Sequence, residues 1–179
     1  MAKARPHQLA FGSAGVGVTS HLAFELFCRM AGIDLVHVPY KGQAPATTDL
    51  LSGHIQTHVH EPDQRLPQVR EGRLRALAVS TAARAPAAPE IPPVAEAGVP
   101  GFDVFIWFGI TAPAGTPPAI IDQLAAEIAR IQAMPEVVKR LADVGADPII
   151  EGPAGLAARI DAEILRWAEV IKAAKVTLE

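Results

Sequence analysis

The chain has 179 residues, half of them hydrophobic, with 16 Lys+Arg against 19 Asp+Glu and a formal charge of −3, which fits one domain or one plus part of another. The high, evenly spread apolar content excludes a disordered chain, and the near-neutral balance supplies no basic field for nucleic acid or anionic membrane. The single cysteine, Cys28, excludes an intrachain disulfide framework and a thiolate metal cluster.

No stretch reaches the ~18 uninterrupted apolar residues of a membrane span. The longest, residues 104–114, is broken by Gly109 and Pro113. The N-terminus, Met1-Ala2-Lys3-Ala4-Arg5-Pro6-His7, is basic but leads into no apolar run, so no signal peptide is expected. Taken alone, that reads as a cytoplasmic chain.

The first ninety residues alternate short apolar strands with helical patterns. Gln8-Leu9-Ala10-Phe11 reads as a strand, followed by a glycine-rich turn over residues 12–17. Thr19 or Ser20 is placed to cap a helix carrying Leu22, Ala23, Leu26, Phe27 and Met30 on one face, with Gly32 as its stop. Cys28 falls on the apolar side of that helix. Leu35-Val36-His37-Val38 is the next strand, ended by Pro39, and residues 44–51 form a helix closed by Gly53. Residues 54–59 alternate as a strand, 62–71 as a helix stopped by Gly72, and 74–79 as a further strand. Strict alternation of this kind predicts an α/β fold with a parallel-rich sheet and flanking helices.

Residues 80–101 hold five prolines and read as an extended crossover and a domain boundary. Residues 102–107 read as a strand leading out of it. The remainder is helical: Thr116 reads as the N-cap of one helix with Pro117 and Pro118 in its first turn, Pro135 starts a second, and a third runs from about Pro153 with Leu156, Ile160, Ile164, Trp167 and Ile171 at helical spacing. Three amphipathic helices need a sheet to cover, and the chain after residue 102 supplies too few strands for one.

Two strand-to-helix corners carry the chemistry of interest. In the first, Ser13, Ala14, Gly15, Val16 and Gly17 precede Thr19 at a helix start, where unpaired N–H groups and the helix dipole favour carboxylate or phosphate. It is neither a Walker loop nor a dinucleotide fingerprint, and a plain structural turn remains an equal reading. In the second, Tyr40, Lys41 and Gly42 offer a hydroxyl, a charge and a tight turn, and two such corners at the ends of parallel strands can converge on one anion. An exposed turn with a solvated lysine is the alternative. His54, His58, His60, Glu61 and Asp63 suggest a metal set, but at no established spacing, and a polar strand end is the simpler reading. No nucleophile elbow is present, His21 is expected to point away from Ser20, and no cofactor is implied.

Taken together, FGSAGVG, the helix ending in MAG, HVPYKG-x-APA-x-TDLLSG, the RLRALAVS strand, PPVAEAGVPGF, WFGITAPAGTP and RIDAEILRWAEVIKAA resemble the Bug-type extracytoplasmic solute receptors of tripartite tricarboxylate transporters over essentially the whole chain. The resemblance implies a two-domain, type II periplasmic-binding-protein-like fold that holds a carboxylate largely through backbone amides. On that basis residues 7–101 correspond to a complete ligand-binding lobe, domain two, and residues 102–179 to the return half of domain one. The export signal and the first half of domain one have no counterpart here. The matching ligand-binding positions are Ser13, Ala14, Gly15, Val16, Gly17 and Thr19 in the first corner and Tyr40, Lys41 and Gly42 in the second.

His60 falls where the family usually carries an aspartate facing the ligand's distal end, which favours a second carboxylate on the ligand. The implied role is non-catalytic, with a small carboxylate ligand, membrane transporter subunits as partners, and a periplasmic location. The alternatives are a non-binding remnant, a subunit completed by a homodimer or segment exchange, and a histidine–metal enzyme.

Overall fold

The computed structural model describes residues 2–59, 62–86 and 88–177, with no side-chain description for 62–64. It divides into two compact units, Met1–Ile106 with Trp167–Glu179, and Trp107–Arg166.

In the first unit, three short parallel strands are arranged in the order β2-β1-β3: β1 Ala10–Ser13, β2 Val36–Pro39 and β3 Thr57–His58. Ala10 pairs with Val36 and Ser13 with Pro39 on one side, and Phe11 pairs with Thr57 on the other. Helix α1 (Thr19–Ala31) follows β1, α2 (Gln43–Ser52) follows β2, and α3 (Pro62–Arg70) follows β3. Parallel neighbours need such crossovers, so the strand–helix rhythm of the sequence translates directly into this sheet. Gly32 closes α1 in the left-handed region (φ 61°), where its N–H reaches the Arg29 carbonyl, a conformation costly for any residue with a Cβ.

The apolar face of α1 has two sides. Phe24 and Cys28 pack on Phe11 of the central strand, and Ala23 and Leu26 pack with Val99, Phe102, Val104 and Val170. Cys28 is thus a buried small hydrophobe; burial, with Glu25 and Asp34 nearby, pushes its thiol up to about 12. A third cluster joins Leu66 of α3 to Ala88 and Ile91 in the proline-rich segment.

Several expected elements differ. The first strand lies two residues later than predicted, because pairing with Val36–Pro39 draws Gly12 and Ser13 into the ladder. The expected strand at 74–79 contributes one isolated parallel bridge, Val79 to Pro93. The segment beside it contains Pro92 and Pro93, which lack N–H donors and cannot extend a ladder. Residues 102–107 form no strand; Val104 donates to the Ser80 carbonyl at 2.8 Å, and the chain then becomes exposed at Ile106. Neither Thr19 nor Ser20 caps α1. Val18 is the N-cap residue, without a side-chain bond, and Ser20 is turned inward.

The second unit contains α4 (Pro118–Gln132), α5 (Pro135–Asp143) and the N-terminal part of α6 (Pro153–Ala173). Pro117 rather than Thr116 is the N-cap of α4; the Thr116 hydroxyl donates to Pro113. No residue of 107–166 is buried, and Phe108, Ile110, Val144, Ile164 and Leu165 are among its exposed apolar side chains.

Candidate functional site

The site is built from the C-terminal ends of β1 and β2. Parallel pairing brings Ser13 beside Pro39, and the following residues stay joined: Tyr40 N–H donates to the Ser13 carbonyl and Gly42 N–H to the Ala14 carbonyl, both at 3.0 Å. The two corners therefore meet. Gly42, at φ 106°, makes the second turn possible and serves as the N-cap residue of α2.

Within the first corner three N–H groups are used by the chain itself. Ala14 donates to Ser20 Oγ (3.3 Å), Gly15 to Ser13 Oγ (3.3 Å) and Gly17 to His21 Nδ1 (3.0 Å). The N–H groups of Val16, Val18, Thr19, Ser20 and His21 take no partner among the described residues. The anion-attracting part is thus narrower than the sequence suggested: Val16 and the first turn of α1. Val16 and Val18 are exposed, as is Lys41 across the junction.

Beneath the corner lies a buried polar layer. Ser13 is wholly buried; its hydroxyl donates to the Gly15 carbonyl at 2.7 Å and contacts His37 Nε2 at 2.6 Å. With its one proton given to Gly15, the Ser13 oxygen accepts the His37 Nε2 proton. His21 is buried and stacks on His37, with centroids 3.7 Å apart and planes 8° from parallel, and Phe11 lies 4.8 Å from the His37 ring. Burial pulls His37 down to about 4, helped by the neighbouring His21, and burial also lowers His21.

Tyr40 does not offer its proton outward; it donates to Asp49 Oδ2 on α2 at 2.7 Å. Asp49 also contacts His54 Nδ1 at 3.3 Å. Gly12 allows a close approach: a Cβ there would lie 2.5 Å from Ile55 Cδ1, 3.1 Å from the His58 ring and 3.3 Å from the Tyr40 ring. The adjacent Arg65 guanidinium donates to Thr47 on α2. His60 and Glu61 lie outside the described residues. Among the described residues no group of three or more His, Cys, Asp or Glu is placed to hold a metal ion, and no helix is long and apolar enough to cross a membrane.

Sequence reasoning missed His37 and set His21 aside. The missed signal was register: the strands pair so that the Phe11 row meets the His37 row, and the third position of α1 falls beneath the turn.

The family model of the tripartite tricarboxylate transporter family receptor matches residues 1–176. A UPF0065 protein from the tcbD–tcbE intergenic region of Pseudomonas sp. strain P51 is 39% identical over 171 residues, covering 95% of this chain and 51% of that protein. Another UPF0065 protein, from the clcB–clcD intergenic region of Pseudomonas knackmussii, is 40% identical over 159 residues, covering 88% of this chain and 94% of that shorter relative.

Among solved structures, R. palustris Rpa4515 with adipate superposes with a TM-score of 0.80 at 37% identity, over 98% of this chain and 59% of that one. MatC from Rhodopseudomonas palustris with bound malate gives 0.73 at 32%, over 95% and 59%. The chain spans about half the length of most curated relatives it matches. Its fold is that of the periplasmic solute-binding proteins, α/β with a parallel sheet, and the chain belongs to the receptor family of the tripartite tricarboxylate transporters.

Proposed function

We propose that the chain is a non-catalytic receptor that holds one carboxylate of a small dicarboxylate at the junction of the two corners. Its ligand is delivered to the membrane subunits of a tripartite transporter, and it works in the periplasm. The observation that carries this is the Gly42-to-Ala14 bond, which joins the second corner to the first next to the open N–H groups at the start of α1.

Val16 and Thr19 supply amides, Lys41 supplies charge, and Ala14, Gly15, Gly17 and Gly42 shape the cradle. Ser13 supports it from beneath and Tyr40 from the side. His60 is assigned to the ligand's distal end. Residues 7–101 form the ligand-binding lobe and 102–179 the return half of the other domain. The bound adipate and malate of the two Rhodopseudomonas relatives support the ligand class. Isothermal titration of the full chain with adipate and with malate is the test. Saturable heat at one site is expected, and no heat from either at millimolar protein overturns the reading.

One observation favours a second reading, in which the chain is completed by another copy or by segment exchange. Sixty consecutive residues, 107–166, contain no buried side chain, and their helices expose Ile120, Leu124, Ile131 and Ile164. Light scattering of the purified chain separates the two: a dimer supports completion by a second copy, and a monomer that binds no hydrophobic dye removes the need for one.

A further inference from the structure

The first corner is stabilised from behind by an acceptor whose protonation state matters. His21 Nδ1 accepts the Gly17 N–H, so Nδ1 is unprotonated and the ring proton sits on Nε2, which faces Glu25 Oε1 at 3.5 Å. A face of the ring lies flat on His37, which is tied to Ser13 Oγ, and Ser13 Oγ in turn holds both the N–H and the carbonyl of Gly15. A proton added at His21 Nδ1 removes the Gly17 acceptor and sets a positive ring against His37. The Gly17 peptide then loses the bond that fixes its plane, one residue from Val16 and two from the helix start. The groups facing the pair are Glu25 from α1, and Ser13 and Phe11 from β1; Phe11 stacks on His37 and lies 6.2 Å from His21.

We propose that His21, backed by His37, is a positioning residue: in its neutral, Nε2-protonated form it fixes the Gly17 peptide so that the corner presents the amides around Val16 and the start of α1 to a carboxylate. This rests on the carboxylate reading above, but it makes a separate demand on the unliganded chain. Burial lowers both rings from their ordinary value, which favours the neutral forms and agrees with this geometry.

The experiment has two arms on the full-length chain. In the first, nuclear magnetic resonance follows the His21 ring nitrogens and the Gly17 amide through an acid titration without ligand. The expected result is an unprotonated Nδ1 at neutral pH and a Gly17 amide signal that moves with the His21 titration. A Gly17 amide that ignores His21 protonation, or a proton on Nδ1 at neutral pH, overturns the proposal.

In the second arm, adipate titrations compare wild type, His21→Ala and His21→Asn, whose side-chain oxygen can replace Nδ1 as acceptor. A roughly tenfold loss in the alanine variant, about 1.4 kcal/mol, and recovery to within about threefold in the asparagine variant are expected. A merely space-filling role predicts no such recovery, and equal binding by His21→Ala overturns the proposal. If the wild type gives no heat with adipate, the carboxylate reading fails while the first arm still decides the role of His21. If His21→Ala does not fold, the wild-type titration decides alone.

Discussion

The Tyr40 hydroxyl donates to Asp49 Oδ2 at 2.7 Å, tying the second corner to the helix that follows it. Burial, and then that bond to a carboxylate, push the phenol up to about 12. The same bond comes first among the effects that hold the Asp49 carboxyl below its ordinary range, with His54 adding to it. Tyr40 therefore acts as a strut and has no proton left for a ligand.

Tyr40→Phe is accordingly expected to raise the Asp49 pKa toward the usual carboxylate value and to leave adipate affinity within about threefold, less than 1 kcal/mol. A carboxylate-resolved titration and calorimetry check the two halves. A loss of tenfold or more would show that the hydroxyl meets the ligand directly.

Gly12 sits in the central strand under three side chains, and its backbone conformation is ordinary for a strand. The constraint is space. An alanine methyl would stand 2.5 Å from the Cδ1 of Ile55, which is almost fully buried, and 3.1 Å from the His58 ring. Gly12→Ala is expected to destabilise the chain by about 1–3 kcal/mol through overpacking, read as a lower denaturation midpoint. An unchanged midpoint would mean that Ile55 finds another rotamer without cost.

Much of this could be read from residue order, for reasons particular elements make plain. Gly32 and Gly53 ended the two helices where expected, because a left-handed residue after a helical stripe is a local signal that needs no tertiary context. The strands were less legible. Residues 74–79 and 102–107 have strand-like sequences, but a strand exists only if a neighbour pairs with it. Proline occupies the neighbouring segment in the first case, and in the second Val104 donates to the Ser80 carbonyl without a strand forming. At the site, the glycine corners were visible as composition. The inward turn of Ser20 and the His21–His37 stack depend on strand register and helix phase, which composition does not carry. Nor did composition reveal that three corner amides are already occupied.

Lys41 is exposed and adjoins the Gly42–Ala14 bond, so its contribution to a bound dicarboxylate is long-range and screened. Lys41→Ala is expected to weaken adipate binding by about 2–5-fold at low ionic strength, with the difference closing at ~0.5 M salt, where the Debye length falls below about 5 Å. Paired titrations at two salt concentrations measure this. A penalty that persists at high salt would place the ammonium in direct contact with the ligand.

Three histidines give the fold a definite acid sensitivity. His37 and His58 are held down to about 4, mainly by burial, and His21 is lowered by the same cause, against an ordinary value of 6.5. Between those values the unfolded chain binds protons that the native chain refuses, so stability rises with pH. The contribution is complete above about 6.5 and is lost as pH falls toward 4. Each histidine contributes at most ~1.4 kcal/mol per pH unit, less for rings that keep some solvent. Glu25 acts in the opposite sense, since burial raises its carboxyl and the native state gains that proton first. The histidines outnumber it, and the denaturation midpoint is expected to fall steadily from pH 6.5 to pH 4. His37→Phe, which keeps a ring against Phe11 but cannot titrate, should flatten that slope by about one proton's worth. A midpoint that stays level down to pH 4.5 would mean that these rings take up protons in the native state as readily as in the unfolded chain.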